Sequence, residues 1–154
     1  YYRERSLMFT AHQLVGQGLA LGSAYRLSLA ELDSTFTAIP STAVLGPNFD
    51  PDDEAHALLH HVDLFAVYNH PSGFFSRFDA LWWGQSNRDY EPDIPGDDFW
   101  QFNLHAGHRF WRRKAEVRVS LLNLTGRNYR LNPLNLTAEP PRERRLAVSF
   151  KLDL

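Results

Sequence analysis

The sequence predicts an all-β fold, an antiparallel up-and-down meander of about seven long strands forming part of a transmembrane β-barrel. Three observations predict it. Stretches of strictly alternating apolar and polar residues recur along the 154 residues, which is the pattern of strands with one greasy and one wet side. Prolines fall between these stretches, at Pro40, Pro47, Pro51, Pro71, Pro92, Pro95, Pro133, Pro140 and Pro141, and proline is kept out of central strands because it cannot donate to a ladder. Aromatic residues reach 14%, with eleven Phe, six Tyr and four Trp, far more than a soluble core of this size uses. Membrane barrels carry aromatic girdles at both lipid interfaces.

The strands follow in order. The first, about Arg5–Val15, is the least regular. In the second, Leu19, Leu21, Tyr25, Leu27 and Leu29 oppose Ala20, Gly22, Ala24, Arg26 and Ser28. In Glu54–His70, Val62, Leu64, Ala66 and Tyr68 oppose His61, Asp63 and Asn69. The nearest thing to a helical stripe, Ala55–Leu64, reads better as the start of this strand. In Phe74–Asp89, Phe74, Phe78, Ala80 and Trp82 oppose Arg77, Asp79, Gln85 and Asn87, with Trp83 on the wet side. Next, Phe102, Leu104, Ala106 and Phe110 oppose Gln101, Asn103, His105 and Arg109, and His108 interrupts the apolar face. Then Ala115, Val117, Val119 and Leu121 oppose Glu116, Arg118 and Ser120. The last is the clearest: Leu146, Val148, Phe150, Leu152 and Leu154 oppose Ala147, Ser149, Lys151 and Asp153.

Connections alternate in length. Gly16-Gln17-Gly18, Pro71-Ser72-Gly73 and Arg112-Arg113-Lys114 are short, whereas Thr37–Asp53, Tyr90–Asp97 and Thr125–Arg142 are long. Membrane barrels have short periplasmic turns and long outer loops. With Leu154 in the periplasm, every connection has the length its side demands. Seven strands alternate in direction, so closing the first on the seventh would need a parallel seam. Arg5–Val15 and Leu146–Leu154 are therefore expected to be the edges of an open, curved sheet. The start Tyr1–Ser6 is neither an initiator methionine nor a signal peptide, so residues 1–154 are expected to be one domain, the C-terminal portion of a longer chain.

Composition narrows the function. No run approaches the 18 apolar residues of a membrane helix. The net charge of −2 carries no nucleic-acid footprint, and the absence of cysteine removes disulfides and Cys chemistry. No G-x-S-x-G, H-E-x-x-H or phosphate loop occurs, so neither catalysis nor a cofactor is expected. His56, His60 and His61 invite a metal, but on a strand His60 and His61 point to opposite sides, and no metal is expected. Asn123-Leu124-Thr125 and Asn135-Leu136-Thr137 fit a glycosylation pattern that a bacterial barrel does not use. Candidate ligand or lipid contacts are the basic cluster Arg142, Arg144 and Arg145, and Asp89 and Asp93 in an acidic loop facing lipopolysaccharide. The blander reading of both is ordinary charge at strand entrances and on solvated loops.

The segment Leu121-Leu122-Asn123-Leu124-Thr125-Gly126-Arg127-Asn128-Tyr129, then Pro140-Pro141-Arg142-Glu143-Arg144-Arg145 and the closing amphipathic strand, resembles the C-terminal end of TonB-dependent receptors. The resemblance covers about Asp98–Leu154, and upstream only the strand rhythm matches. It departs at the last position, where such barrels usually end in Phe and this chain has Leu154. Similar barrel ends also follow helical repeat arrays. The resemblance implies a bacterial outer-membrane location and binding or transport of a ligand. Its implied partners are outer-membrane lipid and lipopolysaccharide, the barrel-assembly machinery, and N-terminal strands and a domain of the same chain. The rivals are a soluble β-sheet binding module, which would bury the apolar face, and a barrel-based outer-membrane lipid enzyme, which needs Ser or His aligned with an acid. The face assignment makes a prediction. Val119→Arg should cost about 2–4 kcal/mol near a bilayer midplane and Ser120→Arg far less, read from folding into lipid vesicles; equal costs would refute the faces.

Overall fold

The computed structural model describes residues 1–35, 52–89, 95–128 and 143–153. Seven strands lie side by side in chain order: β1 (Tyr2–Val15), β2 (Leu19–Thr35), β3 (Asp52–Asn69), β4 (Phe74–Arg88), β5 (Asp98–Phe110), β6 (Ala115–Leu122) and β7 (Arg145–Leu152). Every neighbouring pair is antiparallel. The sheet is open, with β1 and β7 as its edges, as the parity of seven strands requires. Among the described residues no helix is long and apolar enough to cross a membrane, which says nothing about crossing by strands.

Several strands are longer than their apolar alternation. β1 starts at Tyr2 rather than Arg5, β2 runs on to Thr35, and β5 begins at Asp98. Backbone pairing does not need apolar side chains, so the ladder continues past the alternating stretch. Asp52 and Asp53, assigned above to a long loop, belong to β3. The three short connections are tight turns. Gly16 has φ 63°, and Trp111, Arg112 and Arg113 have φ 51°, 56° and 72°. Of the long connections, 36–51, 90–94 and 129–142 lie outside the described residues.

Register shows which residues share a face, because side chains directly opposite on paired strands point the same way. One face carries the apolar set from β2 to β7, whereas β1 exposes Leu7 and Phe9 on this face and Met8 and Leu14 on the other. Every exposed large hydrophobic of β2 to β6 lies on it: Leu21, Leu29, Leu64, Tyr68, Phe74, Phe78, Trp100, Leu104, Val117, Val119 and Leu121. On the edge strand, Leu146, Val148 and Phe150 are likewise more than half exposed. The opposite, polar face is the sheltered one. Phe75, Asp79, Phe99 and Asn103 are buried there. Side chains of β3 to β6 converge on that side around a hollow of about 520 Å³, so the sheet curls toward its polar face. No closed apolar interior exists among the described residues.

Two glycines permit this curl. Phe65 lies opposite Gly22 and Phe75 opposite Gly107, and each ring lies across its glycine. A Cβ on Gly22 would strike the Phe65 ring, and one on Gly107 would strike the Phe75 ring and the Val117 carbonyl. The aromatic thus covers backbone that has no side chain of its own. Gly107→Val should lower folding stability by about 1–3 kcal/mol through overpacking. The check is the urea midpoint in lipid vesicles, and an unchanged midpoint would contradict the packing.

Candidate functional site on the concave face

The alternation puts charged residues of β4, β5 and β6 on one sheltered surface, and register brings them together. Two networks result. In the first, Arg77 Nε donates to Asp79 Oδ1 at 2.7 Å, and His105 Nε2 lies 3.4 Å from Asp79 Oδ2. His105 Nδ1 meets Ser120 Oγ at 2.8 Å. In the second, Glu116 receives Arg109 Nε at 2.9 Å and Arg118 Nη2 at 2.6 Å. Arg109 Nη1 also donates to Asn69 Oδ1 at 2.9 Å, reaching across to the end of β3.

The guanidinium groups rest on the aromatic rings that cover the glycines. Arg109 and Arg118 lie 4.1 and 5.5 Å from the Phe75 centroid, and Arg77 lies 4.8 Å from that of Phe65. Stacking leaves the edge N–H groups free to donate in plane to carboxylates. Asp79 is buried with an arginine and a histidine around it, which is the arrangement a sheltered charge needs. The surface is therefore preorganised: planar cations held flat, with carboxylates fixed between them.

Ser120, His105 and Asp79 stand in line as a nucleophile, base and acid would. The environment does not complete a hydrolytic site. The hydroxyl faces Nδ1 and the acid Nε2, and Asp79 is also bound by Arg77. Ser120 sits within a regular strand paired on both sides, opposite His105 and Ala147, where backbone N–H groups serve the ladder rather than a developing oxyanion. The line joins β4, β5 and β6 on the polar face.

Asn123 closes this corner. It is 4% exposed with φ 52°. Its amide donates to the Arg127 carbonyl at 2.9 Å and accepts from Arg127 N at 3.1 Å. Its own N–H reaches Asn103 Oδ1 at 2.9 Å. The Asn-Leu motif thus turns the chain off β6 and anchors the turn to β5.

Of the residues singled out from sequence, the described ones lie elsewhere. Asp89 is exposed at the end of β4 with φ 62°. Arg145 starts β7 opposite Leu122, and Arg144 passes over Gly126. Both arginines are exposed. Asp93 and Arg142 lie outside the described residues. His56 and His60 are on the apolar face, where His60 Nδ1 meets the Tyr25 hydroxyl at 2.9 Å. His61 is on the polar face, stacked on Trp83 at 3.7 Å. Among the described residues no three His, Cys, Asp or Glu side chains group to hold a metal.

Sequence reasoning placed Arg77, Asp79, His105, Arg109, Glu116 and Arg118 on the wet face without marking them as a site. The available signal was the spacing of Arg77 with Asp79 and of Glu116 with Arg118, two apart on one strand and so on one face. Compared with models of known families, with curated proteins and with solved structures, the chain matches none.

Removing the shared acceptor tests the second network. Glu116→Gln should destabilise the fold by about 1–2 kcal/mol, since it weakens two charge-assisted bonds while Arg118 stays partly solvated. Lys151→Ala breaks the exposed pair with Asp153 and should cost below about 1 kcal/mol. Comparing denaturant midpoints decides, and equal losses would deny the network a structural role.

Proposed function

We propose that this chain forms one side of an outer-membrane β-barrel similar to that of TonB-dependent receptors, binding or transporting a ligand across the outer membrane by way of its concave polar face. The observation that carries this reading is the reversed polarity of the sheet. A water-soluble sheet hides its apolar side and wets its polar side. Here the apolar side is bare from β2 to β7, while the ion pairs and the buried Asn103 amide occupy the sheltered side. Lipid is the solvent in which that arrangement is stable.

Aromatic placement supports it. Trp82 and Trp100 occupy the apolar face toward the long connections, and Tyr68, Phe74, Phe110 and Phe150 occupy it toward the short turns. From Phe74 to Trp82 is about 27 Å along the strand at ~3.4 Å per residue. A tilt of about 40° reduces this to roughly 21 Å, near the ~25 Å apolar band of such barrels. The open edges at β1 and β7 leave room for further strands, which this reading requires to close the wall. The chemistry of the concave face is recognition rather than bond breaking.

The chain has no cysteine, so single introduced cysteines can carry spin labels. The neighbouring pairs Leu27→Cys with Ser28→Cys and Val119→Cys with Ser120→Cys compare the two faces in lipid vesicles. Labels at 27 and 119 should collide with dissolved oxygen, and labels at 28 and 120 with a water-soluble nickel chelate. Equal chelate access at all four sites, or apolar sites closed to both reagents, would overturn the membrane reading.

A further inference from the structure

The two ion-pair networks satisfy themselves, but a neighbouring part of the concave face does not. Among the described residues three buried side-chain atoms lack a hydrogen-bond partner: His61 Nε2, Asp63 Oδ1 and Gln85 Oε1. All three belong to the polar side of β3 and β4. Gln85 is opposite Leu59 and Asp63 opposite Leu81, with the His61–Trp83 pair between them. The three atoms therefore follow a line about 13 Å long, at ~3.3 Å per residue from position 59 to position 63. Native structures rarely leave a buried polar atom unpaired. Three along one line point to an occupant.

The chemistry of the line selects that occupant. Gln85 has spent its N–H₂ on Asn87 Oδ1 at 2.8 Å, so its free oxygen can only accept. The carboxylate oxygen of Asp63 also only accepts. The occupant must then present donors at two separated points, and Asp63 disfavours an anion. Between the acceptors Trp83 and His61 are stacked face to face at 3.7 Å and 12°, so the pair offers an apolar rim. Trp83, His61 and Gln85 line a hollow of about 230 Å³ together with Arg26 and Glu4, and Asp63 lines the neighbouring hollow of about 520 Å³. Arg26 has no carboxylate in salt-bridge range among the described residues. It offers donors to an acceptor-bearing ligand and opposes the charges of Glu4 and Asp63. An elongated neutral molecule with hydroxyls at its rim and apolar C–H groups between them suits donors and acceptors placed side by side.

Building on the outer-membrane reading, we infer that this line on β3 and β4 is a subsite for a neutral oligosaccharide. Sugar hydroxyls donate to Asp63 and Gln85, Arg26 and His61 hydrogen-bond the ligand's oxygens, and the sugar's C–H groups pack against the rim of the Trp83–His61 stack. The test uses the full-length protein in detergent micelles, so it does not depend on how the sheet meets a bilayer. The probes are neutral oligosaccharides covering α- and β-linked glucose, galactose, mannose, xylose and N-acetylglucosamine, with citrate and spermidine as charged comparators. At least one oligosaccharide should bind saturably, at least tenfold more weakly to Trp83→Ala and Gln85→Ala, and unchanged to Ser149→Ala on β7. Should Trp83→Ala fail to fold by gel mobility, the half-buried Gln85→Ala carries the comparison. Binding by none of the sugars, binding unaffected by these variants, or saturable binding of citrate or spermidine alone would overturn the subsite. Binding that persists while the spin labels fail would leave the subsite standing and remove the membrane reading.

Discussion

The antiparallel register is the constraint on which the rest of this structure depends. A strand alternates its side chains with a period of two, so a slip of one residue between neighbours would send a whole strand's apolar set to the opposite face. The pairing of Phe75 with Gly107 and of Phe65 with Gly22 resists such a slip. In any shifted alignment each ring would meet a side chain instead of bare backbone. Register also provides the flat rings on which Arg77, Arg109 and Arg118 rest. From those seats the arginines reach Asp79 and Glu116.

Two kinds of polar surface share the concave side, and they differ in how completely they are satisfied. Around Asp79 and Glu116 each carboxylate is met by an arginine of its own strand, and by His105 or Arg109 of the neighbouring strand. Such a network ties β4, β5 and β6 together and has little left to offer a ligand. Around His61, Asp63 and Gln85 three sheltered polar atoms have no hydrogen-bond partner among the described residues. A buried group prepared in advance and left open is what binding exploits, because its desolvation has already been met by the fold. The contrast separates satisfied from unsatisfied polar groups within one sheet.

The apolar side follows simpler physics. Its side chains make few contacts beyond their own sheet, and apolar area left in water costs about 25 cal/mol per Å². The cost disappears when lipid replaces water, which is why reversed polarity and membrane residence are linked. Tyr25 with His60 shows the same logic. Their hydrogen bond pairs two polar tips on an otherwise apolar face, leaving the rings to face outward.

The sequence alone determined the strands, their faces and the short turns, because these rest on local rules. Alternation, proline exclusion and turn residues act over a few positions, so they can be read without a partner. Strand ends were less legible, as at Tyr2, Thr35 and Asp52, since the ladder outlasts the alternation. Pairs two apart, such as Arg77 with Asp79, were present in the spacing. The contacts of Arg109 with Asn69 and of His105 with Asp79 and Ser120 were not. They join residues on different strands, and no local pattern specifies how far one strand slides along the next. The same reason explains the attention drawn by Arg144 and Arg145. Neighbours in sequence look like a cluster, whereas Arg145 starts β7 and Arg144 lies before it against Gly126. Only the assembled sheet decided which polar groups meet and which are left waiting, because that depends on cross-strand register and on the curl that shelters the polar side.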